Sequence, residues 1–158
     1  METTGSKLTA TLLQLSAYTQ YFFPFGNFIF PVIIWSAKKK ESEFVNYNGK
    51  QAINFQLSLL VYTIILMIIV VPTFFYTFFK DLDFRSAINS KWVFENNGHW
   101  IIDNFSSGKI TGLIAIAIIA IFTLLGIKIA EFFLILYAAV KNTNGENFNY
   151  PLTIKFIK

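Results

Sequence analysis

The sequence predicts an all-α membrane protein of four helices: a short N-terminal helical hairpin, then two long transmembrane helices with a small extracytoplasmic β-hairpin inserted between them. Hydrophobic residues make up 54% of the 158-residue chain and charged residues 14%, too few charges for the surface of a soluble globule. This length has room for one domain. Three uncharged runs approach or exceed the roughly 18 residues that indicate a membrane-spanning helix. These runs are Leu8–Ala37, Gln51–Phe79 and Ile110–Ile127.

The first apolar run is interrupted by a turn-like break at Pro24–Asn27. We therefore expect two short helices, Leu8–Phe23 and Phe28–Lys38, with Asn27 as the N-cap of the second and Pro31 in its first turn. Each helix is short for a full crossing. The hairpin either dips into the membrane or crosses it at a thin place, and its irregular middle must be buried in protein or reach water.

Interface anchors follow the hairpin. Trp35 precedes a cluster of three lysines, Lys38, Lys39 and Lys40, and this combination is typical of a cytoplasmic membrane edge. The polar stretch Glu41–Gly49 is expected to be a short loop on the same side of the membrane.

The two long transmembrane helices are predicted at residues 51–79 and 110–140. The first has no charged residue and lies between Lys50 and Lys80. Its end is rich in aromatic side chains, as expected where a helix meets lipid headgroups. The second returns to the cytoplasmic side, and the Asn144–Gly145 pair is expected to stop it.

The connection between the long helices, residues 80–109, carries a hairpin pattern. Two segments, Lys91–Glu95 and His99–Asp103, flank Asn-Asn-Gly, in which glycine supplies the positive φ of a tight turn. The sequence predicts a small β-hairpin here. Its tryptophans, Trp92 and Trp100, would anchor it at the outer membrane interface or contact a partner.

The distribution of basic residues predicts the topology. Near the proposed inner membrane ends lie seven lysines: Lys38, Lys39, Lys40, Lys50, Lys141, Lys155 and Lys158. The outer connection carries four basic residues: Lys80, Arg85, Lys91 and Lys109. This bias favours a cytoplasmic C-terminus in the bacterial cytoplasmic (inner) membrane, with the N-terminus on the same side if the first run is a hairpin.

The tail, residues 141–158, alternates between apolar and polar side chains. Its alternate positions are apolar: Phe148, Tyr150, Leu152, Ile154 and Phe156. Such alternation predicts an extended strand with one apolar face. Pro151 suits an edge strand or a segment bound to a surface better than the interior of a sheet.

Lys128 and Glu131 are the only charged residues between Ile110 and Val140, and they lie three positions apart on one helical face. Ionisable side chains inside a membrane are costly and by default indicate a function. Three interpretations stay open. This helix of about 46 Å overshoots the bilayer and Lys128 reaches the inner headgroups; the pair contacts a partner subunit; or the pair belongs to a proton or ion path.

Polar side chains also mark the first long helix. Gln51, Asn54 and Gln56 either line a polar cavity or bind the short helix Phe28–Lys38. Hydrogen bonds between membrane helices contribute about 0.6 kcal/mol each, so they suit helix association.

The sequence offers no catalytic, cofactor or metal site. It contains no cysteine, which excludes disulfides and thiolate ligands. His99 is the only histidine and has no neighbours at metal-ligand spacing. The net charge of +4 comes from basic residues at membrane edges, with no basic face that would bind nucleic acid. We therefore expect neither an enzyme nor a nucleic-acid-binding protein.

Several motifs in a fixed order suggest a family. They are the Pro-Phe-Gly break leading to Pro31–Trp35, the lysines Lys38–Lys40, the segment Gly49–Gln56, and the closing runs Lys141–Glu146 and Tyr150–Leu152. In these motifs the chain resembles the Tic-twenty-like family of small bacterial membrane proteins of unknown function, whose namesake belongs to the chloroplast inner-envelope import machinery. The resemblance implies four membrane helices with both termini inside, and it brings no catalytic residues.

Together these observations predict a non-catalytic integral membrane protein, an accessory or structural subunit of a larger membrane complex. The resemblance suggests protein transport as the role of that complex. The alternative is a small oligomeric channel or transporter that uses Lys128, Glu131, Asn54 and Gln56. The expected partners are the lipid bilayer and other membrane-protein subunits, and a homo-oligomer stays open.

Overall fold

A computed structural model describes the backbone of residues 2–81 and 109–158, and the side chains of residues 2–76 and 115–158. These ranges contain four α-helices and no strand. The helices are α1 (Thr4–Ser16), α2 (Gly26–Lys38), α3 (Glu43–Asp81) and α4 (Lys109–Thr143), with a 3₁₀ segment, Ala17–Tyr21, after α1. The predicted four-helix, all-α architecture with two long apolar helices is confirmed. The predicted β-hairpin, with Trp92 and Trp100, lies outside the described residues.

The break in the first apolar run is present, but its details differ from the prediction. Phe25, in the left-handed conformation at φ 62°, precedes α2 as its N-cap residue. The predicted cap at Asn27 is wrong, because Asn27 lies inside α2 and its Nδ2 donates to Gln56 Oε1 at 2.8 Å. Pro31 therefore falls in the second turn of α2 rather than the first.

The predicted loop Glu41–Gly49 is mostly helical, because α3 already begins at Glu43. Ser42 accepts a hydrogen bond on its Oγ from the Val45 backbone N–H at 3.3 Å, a serine cap of the kind that starts helices. Phe44, Val45 and Asn48 are buried against the rest of the chain. Tertiary burial thus extends the helix into residues whose polarity predicted a loop.

A glycine in α3 makes close packing with α2 possible. A Cβ atom added at Gly49 would lie 2.9 Å from Trp35 Cγ and 3.1 Å from Leu13 Cδ1, closer than real contacts. The Trp35 indole therefore rests directly on the helix backbone, and its Nε1 donates to Asn46 Oδ1 at 3.0 Å. Gly49 is required here for space.

The predicted strand in the tail is wrong. After α4 ends at Thr143, Gly145 takes a φ of 82°, as the Asn144–Gly145 stop predicts, and the following residues form no strand. Phe148 and Tyr150 are buried, and the Tyr150 ring stacks on Phe55 with centroids 4.1 Å apart. The backbone beyond them bonds to side chains of α3 instead of to another strand.

The chain divides into two compact units. The first comprises Met1–Tyr62 and Gly126–Lys158. Its core is formed by buried residues of α1, the 3₁₀ segment, α3, α4 and the tail: Ala10, Leu13, Ala17, Phe44, Val45, Ala52, Phe55, Ile135, Ala138, Phe148 and Tyr150.

The second unit, Thr63–Leu125, has a different character, because most of its large apolar side chains with described positions are exposed. Two helical spans, Glu43–Tyr76 and Ala115–Thr143, are long and apolar enough to cross a membrane, with mean hydropathies of 2.5 and 2.3. Only 6% and 11% of their most apolar windows are buried within the chain. A core helix of a soluble protein would be mostly buried, so this exposure favours helices that lie in a membrane.

Candidate functional site

The centre of the first unit holds a cluster of buried amides, which we call the amide cluster: Gln14, Asn48 and Asn142, with Tyr150 bound to it. Gln14 Nε2 donates to Asn142 Oδ1 at 3.0 Å, and Asn142 Nδ2 donates to Asn48 Oδ1 at 2.9 Å. The Tyr150 hydroxyl donates to Gln14 Oε1 at 2.6 Å. One side chain from each of α1, α3 and α4 thus meets the tail at a single point.

The amide cluster also binds the backbone that follows α4. Asn142 Nδ2 donates to the Glu146 carbonyl at 3.0 Å, and Asn48 Oδ1 accepts from the Phe148 N–H at 3.0 Å. Asn48 Nδ2 donates to Asn147 Oδ1 at 2.9 Å. These bonds fix the turn that leads the tail back over the core. Burial raises the pKa of Tyr150 well above its usual value, so its hydroxyl stays a donor.

The sequence prediction did not include the amide cluster. Asn48 was assigned to a loop and Asn142 to the tail, residues 141–158, where polar residues need no special explanation. Gln14 did carry a signal, because it lies inside an uncharged run on the same helical face as Ala10 and Ala17. A lone amide on an apolar face indicates a buried hydrogen-bonding partner.

The predicted pair in α4 is formed and includes a third residue. Lys128 Nζ lies 2.8 Å from Glu131 Oε2 and donates to Gln20 Oε1 at 3.0 Å. Gln20 Nε2 in turn donates to Glu131 Oε1 at 2.9 Å. The two partners differ in burial, since the side chain of Glu131 is 1% exposed and that of Lys128 is 53% exposed. We call these three residues the α4 ion-pair cluster.

The α4 ion-pair cluster fastens the 3₁₀ segment to α4. Gln20 lies in that segment, and nearby the Tyr18 hydroxyl donates to the Phe132 carbonyl at 2.7 Å. Both carboxylate oxygens of Glu131 accept hydrogen bonds from the protein. The Lys128–Glu131 pair, through its hydrogen bonds with Gln20, therefore holds the N-terminal hairpin against α4.

The other predicted polar residues of α3 are not gathered into one cavity. Gln56 binds Asn27 of α2. Asn54 is 2% exposed and binds the tail backbone through both of its amide atoms. Gln51 is half-buried. Asn54 and Gln56 thus bind different segments of the chain.

The predicted interface anchors form a compact group at the end of α2. Lys39 Nζ lies 4.3 Å from the centroid of the Trp35 ring, a cation–π contact. Lys38 pairs with Glu41 at 2.8 Å, and Lys40 is exposed. The predicted anchors of this segment thus lie together where α2 ends.

Within the described side chains, no group of three histidine, cysteine, aspartate or glutamate residues lies close enough to hold a metal ion. In the same part of the chain every buried side-chain nitrogen or oxygen has a hydrogen-bonding partner. Two open surface hollows, about 240 and 360 Å³ in volume, lie near the start of the chain and beside α3. The buried polar side chains described here thus bind other groups of the protein.

The resemblance to the Tic-twenty-like family is wrong. The family model that matches, over residues 5–157, is that of the MamF/MmsF proteins. Several residues in the motifs behind the resemblance have packing roles, since Gly49 makes room for Trp35 and Tyr150 fills the core. Protein transport loses the support that this resemblance gave it.

The family comparison covers nearly the whole chain. No curated protein and no solved structure matches it. The matching family is described as the magnetosome magnetite crystal formation protein family. Since the match includes all four helices and the tail, the chain belongs to this magnetosome family.

Proposed function

We propose that the chain is a non-enzymatic structural protein of the magnetosome membrane and takes part in magnetite crystal formation. Its family supplies the biological setting. The two long apolar helices supply the means of lying in a membrane. The chain itself acts by its shape and its contacts within the membrane, without chemistry on a substrate.

The observation that carries this proposal is that every buried side-chain nitrogen and oxygen in the described part of the chain has a hydrogen-bonding partner. A catalytic or transport site usually presents polar groups to a substrate, in a cavity that is open to it. Here the amide cluster and the α4 ion-pair cluster bind helices and tail to one another. Polar groups used in this way favour a rigid structural element.

The exposed apolar side chains support association within the membrane. Large side chains on α4, among them Phe122 at 67% and Phe133 at 61%, are exposed in the single chain. Lipid or neighbouring membrane helices would cover them. We propose that the partners are other membrane-protein subunits or further copies of this chain.

A complementation experiment tests the proposal. In a magnetite-forming bacterium that lacks its own member of the family, expression of this chain should restore crystal size, measured by electron microscopy. A fluorescent fusion should fractionate with the magnetosome membrane. A chain that folds and inserts but leaves crystal size unchanged would contradict the crystal-forming role.

A second candidate function is a small oligomeric channel or transporter. It is favoured by one observation: Lys128 is half-exposed in a helix whose only other charged residue between Ile110 and Val140 is Glu131. In an oligomer such a lysine could face a hydrated path. In the single chain, however, its charge is already paired with Glu131.

The double variant Lys128→Leu/Glu131→Leu separates the two candidates. It removes both charges together, so no unpaired charge is left behind. A structural protein carrying both changes should still insert and restore crystal size. A channel would conduct ions in liposomes before the change and lose that flux after it.

A further inference from the structure

The end of the tail, residues 151–158, exposes apolar side chains in a way that is unfavourable for a segment lying in water. Residues 151–158 are non-helical, yet three large apolar side chains point away from the protein. Leu152 is 85% exposed, Ile154 41% and Phe156 47%. Lys155 and Lys158 lie between and after them and are also exposed.

The backbone of this segment is bound by a row of polar side chains on α3. Asn54 Oδ1 accepts from the N–H groups of Phe156 and Ile157 at 3.1 and 2.8 Å, and Asn54 Nδ2 donates to the Ile157 carbonyl at 3.0 Å. Ser58 Oγ accepts from the Ile154 N–H at 2.8 Å. We call residues 151–158 the tail strap.

The same row continues one turn further along α3, where the Tyr62 hydroxyl donates to the Leu152 carbonyl at 2.7 Å. Asn54, Ser58 and Tyr62 recur every four positions and so share one face of the helix. Each of them reaches the main chain of the tail strap. This pattern leaves the apolar side chains of the strap free to face outward.

The hydrogen-bonding pattern bears on where the strap can lie. Non-helical backbone is excluded from contact with lipid chiefly because its unpaired N–H and C=O groups cost several kcal/mol each. On the strap, α3 pairs the N–H groups of residues 154, 156 and 157 and the carbonyls of residues 152 and 157. Part of that cost is therefore removed.

We propose that the tail strap is a lipid-binding element, which lies along α3 in one leaflet with Leu152, Ile154 and Phe156 against acyl chains. Lys155 and Lys158 would extend toward the headgroups, where anionic lipids attract them. The occupant of this surface is the bilayer itself, because α3 is one of the two helices apolar enough to cross it. This inference depends on the membrane location and not on the crystal-forming role.

The strap runs antiparallel to α3, which gives the proposal a depth order. Leu152 bonds at Tyr62 and Phe156 at Asn54. Eight helical residues separate these two positions, about 12 Å along the axis. Lys50, at the charged edge of the apolar run, lies beyond Asn54, so Leu152 should be the deeper of the two.

The absence of cysteine makes a direct test simple. Single variants Leu152→Cys and Phe156→Cys, each labelled with a bimane fluorophore, are reconstituted in vesicles of phosphatidylcholine and phosphatidylglycerol. A label at the exposed turn residue, Asn144→Cys, is the matched control. Brominated acyl chains should quench the label at position 152 most, at 156 less and at 144 least, and aqueous iodide should show the reverse order.

Two outcomes would overturn the proposal. If iodide quenches the label at 152 as strongly as at 144, the strap lies in water. If the label at 152 is shielded from both quenchers and its cysteine forms disulfide-linked dimers at low protein-to-lipid ratio, a second copy covers the strap instead.

A variant of α3 tests the role of the backbone bonds. Ser58→Ala leaves the Ile154 N–H without its acceptor while keeping the helix. We expect the label at position 152 to become more accessible to iodide, by a factor of two or more. Unchanged accessibility would mean that the bonds from α3 do not hold the strap in lipid.

Discussion

The two halves of α3 have opposite surroundings. In the first half, up to Tyr62, polar residues such as Asn48, Asn54 and Ser58 are buried and bonded. In the second half, from Thr63 to Tyr76, most of the exposed residues are large and apolar, with Ile68 at 65% and Ile69 at 61% exposure. The first half binds its own chain, and the second leaves a large apolar surface exposed.

This contrast shows how one continuous helix can combine a half packed inside the protein with a half that has an apolar outer surface. Where other segments of the chain cover the helix, polar side chains are useful because each finds a partner in a region without water. On a surface that faces lipid, charged side chains are costly and apolar ones are favoured. We therefore expect substitutions to have large effects in the first unit and small effects on the exposed surface of the second.

The largest effect is expected from Asn142→Leu. This change takes an acceptor from Gln14 and a donor from the Glu146 carbonyl. Each buried group left unpaired costs about 1–3 kcal/mol. The free energy of unfolding in detergent should fall accordingly, whereas the matched change Ile69→Ala in the second unit should alter it little. Equal effects of the two changes would contradict the contrast.

Two glycine substitutions give the next effect. In Gly49→Ala, the new Cβ would clash with the Trp35 ring. Overpacking of this kind costs about 1–3 kcal/mol. Gly126→Ala is the control, because its Cβ would meet no atom within 4 Å and alanine favours a helix by about 1 kcal/mol. Thermal unfolding in detergent should show opposite signs for the two variants.

A smaller effect is expected at the α4 ion-pair cluster. Lys128→Leu leaves the buried Glu131 carboxylate with Gln20 as its described donor, at a cost of about 1–2 kcal/mol once the exposure of the lysine is allowed for. The double variant with Glu131→Leu should be more stable than this single variant, because it removes the stranded charge. If the double variant is the less stable one, the pair is not coupled in this way.

The smallest effect concerns alkaline pH. Burial raises the pKa of Tyr150 above its unfolded value near 10, so the unfolded chain loses this proton first. The stabilisation is complete below pH 10 and decreases as the pH rises above it. Unfolding followed from pH 9 to 11 should show a steeper loss of stability for the natural chain than for Tyr150→Phe. Identical slopes would indicate that Tyr150 is not protected by burial.

Much of the architecture could be predicted because it depends on runs and breaks in hydrophobicity. The break before α2, the two long apolar helices and the stop at Gly145 all follow from local composition and backbone preference. The strand expected in the tail was wrong because the partners of its backbone come from a distant part of the chain. Alternation predicts which side chains share a face, but Asn54, Ser58 and Tyr62 on a distant helix determine what the backbone binds.

The candidate sites likewise contain some residues that the sequence predicted and others that only packing brings together. Lys128 and Glu131 were identified because charge is conspicuous in an apolar helix, but Gln20, 108 residues from Lys128 in sequence, completes the cluster. The amide cluster escaped prediction because Asn48 and Asn142 are unremarkable in their own segments. Its members meet only when α1, α3, α4 and the tail pack together.

By itself the sequence determined the four helices and the apolar surfaces suited to lipid, because both depend on residues near one another along the chain. Only the tertiary structure decided which polar side chains are partners, why Glu131 is buried while Lys128 is exposed, and how the tail is bound. Those outcomes depend on groups brought together from distant segments, where a buried polar atom must find a partner or pay its full desolvation cost.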